Sequence, residues 1–299
     1  MKKISIVLAF MMFFLSCTTS KNNSIKPKVF DMQAHRGGKG LMPENTIPAM
    51  LNAIDLKVVT LEMDLQVTKD KNVVVSHDPN FNANITTTPE GKFLSKDDAK
   101  KLLLYNMNYE EIKKYDVGLK YFADVPRQKK MSAYKPLLSD LLDATENYAK
   151  DKGINISYNI EVKSNKKNDG INHPPVEEFV ELAMAVINQK GTGAKTVIQS
   201  FDPRALVIMH RKHPAVATSY LIEAKDTRSV EDQLSDLGFT PSVYSPHQNL
   251  VTKKLVEECH KKKMRIIPWT VNDLQRIKEL KAMGVDGVIS DYPDLFALL

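Results

Sequence analysis

Ala34-His35-Arg36-Gly37-Gly38-Lys39-Gly40-Leu41-Met42-Pro43-Glu44-Asn45-Thr46 follows directly on a β-rich run that begins at Val29. Val29 to Ala34 reads as a buried strand, and Gly37 and Gly38 permit a sharp exit from it. Pro43 to Thr46 reads as the start of a helix carrying Ala49, Met50, Ala53 and Ile54 on one face. The unit is therefore β/α, with an imidazole and a guanidinium at the carboxyl end of its strand. That is the end at which α/β folds keep their ligands.

The same unit recurs outward from this point. β-branched runs at Val58–Val67, Ser157–Lys163, Thr196–Phe201, Ala217–Ile222, Ser242–Pro246, Arg265–Val271 and Gly287–Ser290 bring the strand count to eight. Between them, Val176–Gln189, Pro203–His210, Val230–Leu237, Thr252–Lys262 and Asp273–Met283 carry apolar residues at helical spacing. Eight strands alternating with helices predict an α/β fold, a closed (β/α)8 or TIM barrel, over an open sheet. A ninth run, Val73–Ser76, follows the second strand too soon for a helical crossover and predicts an antiparallel hairpin. Residues 79–135 are polar and interrupt the alternation, with short helical stretches only at Lys96–Leu104 and Tyr109–Lys114. They are expected to form an inserted lid or subdomain over the carboxyl end of the barrel.

The N-terminus carries a different message. Lys2 and Lys3 precede an apolar run, Ile4–Leu15, too short to span a bilayer comfortably, and Leu15-Ser16-Cys17 follows it. This reads as a secretory signal over residues 1–16 ending in a lipoprotein cleavage box, with Phe14 where an aliphatic residue is usual. The competing readings are a plain signal peptide and a short anchor. Cys17 would become the acylated first residue, residues 17–28 a polar tether, and residues 29–299 the folded domain. The expected location is an exported lipoprotein, anchored in the membrane and facing the periplasm. Only Cys259 then remains, on an apparent helix, where packing is its expected role. Net charge is +6, reduced by two when Lys2 and Lys3 leave with the signal. Lys166-Lys167 and Lys261-Lys262-Lys263 have no interleaved aromatic residues, so no nucleic-acid partner is expected; the mild field suits an anionic substrate or membrane.

Three carboxylates fall near strand ends. In Glu62-Met63-Asp64 strand alternation puts both acids on one face, and Asn159-Ile160-Glu161-Val162-Lys163 does the same for Glu161 and Lys163. Singly, each pair reads equally as a strand-end salt bridge. Together in a barrel mouth they would repel unless a cation lay between them, and all-oxygen ligands suit Mg²⁺ or Ca²⁺ better than zinc. His77-Asp78 closes the hairpin and gives a second strand-end histidine to set against His35, so that one imidazole can act as acid and the other as base. Trp269, the only tryptophan, ends a late strand; it reads either as core or as an apolar wall for a small polyol or lipid headgroup.

These segments, in this order, resemble the glycerophosphodiester phosphodiesterase family. The resemblance runs from His35-Arg36-Gly37 and Pro43-Glu44-Asn45-Thr46 through Glu62-x-Asp64, Ser76-His77-Asp78 and Ile160-Glu161-Val162-Lys163. It continues through Gln199-Ser200-Phe201 and Trp269-Thr270-Val271-Asn272 to the closing Asp286-Gly287-Val288-Ile289-Ser290-Asp291-Tyr292-Pro293. Ser290 replaces a common threonine and Gln199 a common small residue. The resemblance implies a TIM barrel with a small inserted domain and a divalent metal held by Glu62, Asp64 and Glu161. It implies His35 and His77 as the acid-base pair, and Arg36 and Lys163 on the phosphodiester oxygens. The implied reaction is metal-dependent hydrolysis of glycerophosphodiesters to sn-glycerol 3-phosphate and an alcohol. A glycerol hydroxyl attacks phosphorus, the alcohol leaves protonated, and water opens the cyclic phosphate. Glu44 either orients Arg36 or caps its helix. Rim residues such as His247 and Gln248, with the insertion, are expected to shape the alcohol pocket. The alternatives are the same fold acting on lysophospholipids or other lipid phosphodiesters, and a non-catalytic envelope binding protein.

Overall fold

The computed structural model describes residues 29–299; the expected signal sequence, Cys17 and the expected tether lie outside the described residues. The strands are β1 (Asp31–Ala34), β2 (Thr60–Val67), β3 (Val73–Val75), β4 (Ser157–Val162), β5 (Thr196–Ser200), β6 (Ala217–Ile222), β7 (Val243–Pro246), β8 (Arg265–Ile266) and β9 (Gly287–Ser290). The helices are α1 (Ile47–Asp55), α2 (Lys96–Ala99), α3 (Tyr109–Ile112), α4 (Leu138–Lys152), α5 (Val176–Gln189), α6 (Pro203–Lys212), α7 (Val230–Ser235), α8 (Lys253–Lys261) and α9 (Leu274–Met283).

All strands but β3 run parallel in the order β8-β7-β6-β5-β4-β2-β1-β9, and β3 pairs antiparallel with β2 as expected. The two ends of this sheet meet. Asp286 N donates to Ile266 O (2.9 Å), Ile289 N to Pro268 O (3.0 Å) and Val271 N to Ile289 O (2.9 Å), which nearly closes a (β/α)8 barrel. β8 is shorter than the expected Arg265–Val271 because Pro268 has no N–H to give to a ladder.

Strand alternation sorts the side chains. Leu61, Met63 and Leu65 of β2 and Tyr158, Ile160 and Val162 of β4 face outward into the main core with Ile54, Leu141 and Phe179. Each such fully buried side chain contributes about 1.5–3 kcal/mol. The opposite set fills the barrel interior, part apolar (Val197, Val243, Ile267, Ile289 and Trp269) and part polar (Gln33, Asn159 and Gln199).

Other elements differ from expectation as well. α1 begins at Ile47 because Thr46 is its N-cap, accepting from Ala49 N; Pro43 to Asn45 form the turn before it. α4, the crossover from β2 to β4, is absent from the expected helices because its polar residues dilute the buried stripe of Leu138, Leu141, Leu142, Thr145 and Ala149. The eighth unit ends in a 3₁₀ turn, Pro293–Leu298, instead of a helix. Cys259 is buried and free, its thiol pushed up to about 12 by burial. No helix among the described residues is long and apolar enough to cross a membrane.

Residues 79–135 leave and rejoin the barrel at one place. Val75 N donates to Pro136 O (2.9 Å) and Lys135 Nζ to Ser76 Oγ (2.8 Å). Their helices are single turns, shorter than the sequence suggests, yet Phe81, Ile85, Leu94, Leu104, Tyr109 and Ile112 form a core separate from that of the barrel. A strap from this unit hooks the loop after β1: Lys129 N donates to Leu41 O and Gln128 Nε2 to Lys39 O, each at 2.8 Å.

Candidate active site

The chain leaves β1 through a 3₁₀ turn, His35–Gly37, in which Arg36 has φ 51°, Gly37 78° and Gly38 89°. Left-handed backbone costs a non-glycine residue roughly 1–3 kcal/mol, and here it is held from both sides. Arg36 N donates to Glu62 Oε2 (2.7 Å), and Arg36 O accepts from Asn45 N (2.9 Å). A Cβ on Gly37 would stand 2.8 Å from the Cβ of Ala49, so glycine lets α1 pack directly under the turn.

His35, Arg36, Glu62, Asp64, His77, Glu161, Lys163 and Trp269 all line one cavity of about 180 Å³ at the carboxyl end of the barrel. Glu62, Asp64 and Glu161 are buried and each offers an oxygen, all within 4.8 Å of one another. Burial pushes the Glu62 carboxyl well above its usual range, reinforced by Asp64, and pushes Glu161 up to about 7 against the pull of Lys163. Burial opposes ionisation of Asp64 as well, but Lys163, His77 and Arg36 hold its carboxyl far below the usual range. Both Glu62 oxygens already accept one hydrogen bond, from Gln199 Nε2 (2.8 Å) and Arg36 N. Asp64 Oδ2 accepts from Asn45 Nδ2 (2.9 Å), whereas Asp64 Oδ1 is buried with no hydrogen-bond partner and lies 3.7 Å from Lys163 Nζ. Three converging carboxylates with one oxygen left unbonded fit a hard divalent cation.

Each histidine is fixed by an aspartate. His35 Nδ1 lies 2.5 Å from Asp291 Oδ1, and His77 Nδ1 lies 2.7 Å from Asp78 Oδ1. An ionised carboxylate only accepts, so Nδ1 carries the proton in both rings and Nε2 is left for chemistry. Burial lowers the His35 pKa, with Arg36 and Lys39 adding to the effect and Asp291 opposing it. Asp291 is oriented in turn by Asn272 Nδ2 (2.7 Å), and Asp78 by Asn82 Nδ2 (3.0 Å).

Arg36 Nη1 donates to both oxygens of Glu44 at 3.0 and 3.1 Å, and its Nε lies 3.4 Å from Asp64. Glu44 therefore orients Arg36; Thr46 takes the capping role. Lys163 Nζ sits 3.1 Å from Glu161. Trp269 is half-buried: its Nε1 donates to Ser245 O (3.0 Å) and its ring meets Phe201 and His247 edge-on. It is both cavity wall and lid on the interior apolar cluster. His247 and Gln248 do not line the cavity. They brace the Trp269-Thr270 backbone instead, Gln248 through bonds from its N to Trp269 O (2.9 Å) and from its Nε2 to Thr270 O (2.6 Å). Residues 79–135 contribute no lining to this cavity either.

Asp291, Asn272, Lys39, Asn45 and Gln199 were given no role by the sequence, although all lie in segments singled out there. The signal was position: Asp291 immediately follows β9, where an acid faces the mouth. Lys135, buried against Ser76 and the Phe81 ring, has no local sequence signal at all.

Acidic cation ligands, paired cations and two aspartate-supported imidazoles in one barrel mouth define a hydrolase of phosphoric diesters. The chain belongs to the glycerophosphoryl diester phosphodiesterase family, whose model matches residues 35–295. It is 29% identical to a glycerophosphodiester phosphodiesterase of Bacillus subtilis (strain 168), over 97% of this chain and 92% of that protein. It is 22% identical to a lysophospholipase D of Rattus norvegicus, over 87% and 82%. A family structure from Silicibacter pomeroyi DSS-3 superposes with a TM-score of 0.81 at 28% identity, covering 91% of this chain and 95% of that one. An Oleispira antarctica phosphodiesterase, solved with the product sn-glycerol-3-phosphate, gives 0.71 at 22% identity, covering 90% and 95%.

Proposed function

We propose that the chain cleaves glycerophosphodiesters to sn-glycerol 3-phosphate and an alcohol, with His35 as base and His77 as acid. The observation that carries this is the convergence of both histidines, Arg36, Lys163 and the three carboxylates on one cavity. A divalent cation, Mg²⁺ or Ca²⁺, would be held by Glu62, Asp64 and Glu161 and would supply neutralising charge at the phosphoryl oxygens. Arg36 and Lys163 place further positive charge where the phosphorane develops. His35, kept neutral by burial, takes the proton of the glycerol hydroxyl at Nε2 as its oxygen bonds to phosphorus. His77, more exposed and next to the insertion, protonates the alcohol oxygen as its bond to phosphorus breaks. Water then opens the cyclic phosphate, with the roles of the two rings reversed. The apolar wall of Phe201, Leu221, Trp269 and Ile289 also favours a second reading, acylated lipid phosphodiesters.

A coupled assay for released choline tests this: chelated enzyme, glycerophosphocholine or lysophosphatidylcholine, and Mg²⁺ or Ca²⁺ added back, with sn-glycerol 3-phosphate the expected second product from glycerophosphocholine alone. Activity that disappears on chelation and returns with one metal supports the proposal; full activity after exhaustive chelation refutes the cation site. We also propose anchoring through acylated Cys17, supported by the Leu15-Ser16-Cys17 box. Cys17→Ser is expected to leave the enzyme active and move it out of the membrane fraction, since acylation supplies about 0.8 kcal/mol per buried methylene. Retention in the membrane would identify Ile4–Leu15 as an uncleaved anchor.

A further inference from the structure

We infer that Gln199 is a positioning residue that fixes the Glu62 carboxylate, and that it is itself locked by a chain of amides crossing the barrel interior. The inference rests on the carboxylate site proposed above. Gln199 Nε2 donates to Glu62 Oε1 at 2.8 Å, while Arg36 N holds the other Glu62 oxygen, so the carboxylate is pinned from two directions. Behind it, Asn159 Nδ2 donates to Gln199 Oε1 (2.9 Å) and also to Gln33 Oε1 (2.8 Å). Gln33 Nε2 continues the chain to Asp31 Oδ2 (3.1 Å), which pairs with Arg265 at the opposite mouth. Gln33, Asn159 and Gln199 are all buried. Strand register supports the arrangement, with Asn159 beside Glu62 and Gln199 beside Glu161.

The two ends of this chain are carboxylates, which accept and do not donate when ionised. Donors must therefore point outward at both ends, and the polarity of the chain has to reverse once along its length. Asn159 is the point of reversal: its single amide nitrogen serves both neighbouring carbonyl oxygens, and its own Oδ1 has no hydrogen-bond partner. Rotating Asn159 by half a turn would set that oxygen against two others. The same holds for Gln199, whose reversal would put its carbonyl oxygen against Glu62 Oε1 and its NH₂ group against the Asn159 NH₂ group. An exposed amide turns over freely; these are interlocked, so the Gln199 NH₂ group always faces Glu62. Outer groups that orient a metal ligand in this way raise metal affinity, and their loss typically weakens it 10- to 100-fold.

The test is calorimetric titration of Mg²⁺, and separately Ca²⁺, into the metal-stripped full chain, with melting curves to confirm folding. Gln199→Met removes the donor at nearly constant volume. Gln199→Asn keeps an amide but leaves it one methylene short of Glu62, in an interior of unchanged polarity, and carries the test should the Met variant not fold. Both are expected to raise the metal dissociation constant about 10-fold or more. Asn159→Leu should raise it less, and adding Asn159→Leu to Gln199→Met should change nothing further, because Asn159 acts through Gln199. Wild-type affinity in a folded Gln199 variant, or additive effects in the double variant, overturns the inference when Glu62→Gln still abolishes binding. Wild-type affinity in Glu62→Gln would overturn the carboxylate site itself, and the positioning role with it.

Discussion

His35 is 14% exposed beside Asp291, whereas His77 makes the matching contact to Asp78 at 30% exposure. The deeper ring loses more hydration on protonation, which keeps it neutral and suited to accept a proton. The division of labour has a kinetic signature in the leaving group. With an alkyl alcohol as leaving group, His35→Ala and His77→Ala should each lower kcat by roughly 10²-fold or more. With p-nitrophenol, which leaves without a proton, His77→Ala should lose far less while His35→Ala loses as much as before. Equal losses on both substrates in the two variants would remove the assignment, and a loss spared in His35→Ala instead would reverse it. Trp269 allows a second measurement at this scale. Its ring is half-buried, so Trp269→Ala should cost about 2 kcal/mol in unfolding free energy, below the 3–5 of a fully buried ring, together with a lower kcat/KM. Unchanged kcat/KM would leave it a packing residue alone.

Between β1 and α1, position along the chain and position in space agree, and this is why that element was the most legible. A strand, two glycines and a Thr cap are local signals, and His35, Arg36, Glu62, Asp64, His77, Glu161 and Lys163 could all be placed from strand-end position. What escaped was decided by distant partners. The pairing of Asp291 with His35 joins residues 256 apart, and Lys135 is buried by contacts that fold the whole insertion back on itself. α4 escaped because its apolar stripe is thin; the insertion's core escaped because its apolar residues follow no period. The turn at Gly37 supplies the prediction proper to this scale. An added methyl meets Ala49 at 2.8 Å and sits at φ 78°, so Gly37→Ala must displace α1 or unwind the turn. The expected cost is about 1–3 kcal/mol, with a larger loss in kcat because the Arg36 N–H moves off Glu62. A variant as stable and active as wild type would mean that the turn is not held as tightly as its contacts suggest.

For the molecule as a whole, the acidic site links stability to pH. Unfolded, Glu62 and Glu161 ionise near 4.5; folded and metal-free, both are raised, Glu161 to about 7. Between these values the folded chain binds more protons than the unfolded one, so stability falls as pH rises through that window. His35, whose pKa is lowered on folding, acts in the opposite sense below its ordinary value of 6.5, so the carboxyl contribution is read by difference: the chelated midpoint should fall more, or rise less, from pH 5 to pH 8 in the wild type than in Glu161→Gln, and added Mg²⁺ or Ca²⁺ should raise the wild-type midpoint more at pH 8. The same pH dependence of the chelated midpoint in wild type and Glu161→Gln would refute the protonated carboxyl. The insertion has a consequence of another kind. It departs after His77-Asp78, returns at Lys135, carries its own core, and its two ends are stitched together by backbone and side chain. A segment whose ends touch can change in length without stretching the barrel that bears the chemistry, so long as Asn82 still holds Asp78 and Gln128 and Lys129 still hold the loop after β1. Residues 79–135 are thus a cassette pinned at those points: away from them its outer surface can be replaced while the barrel keeps the reaction.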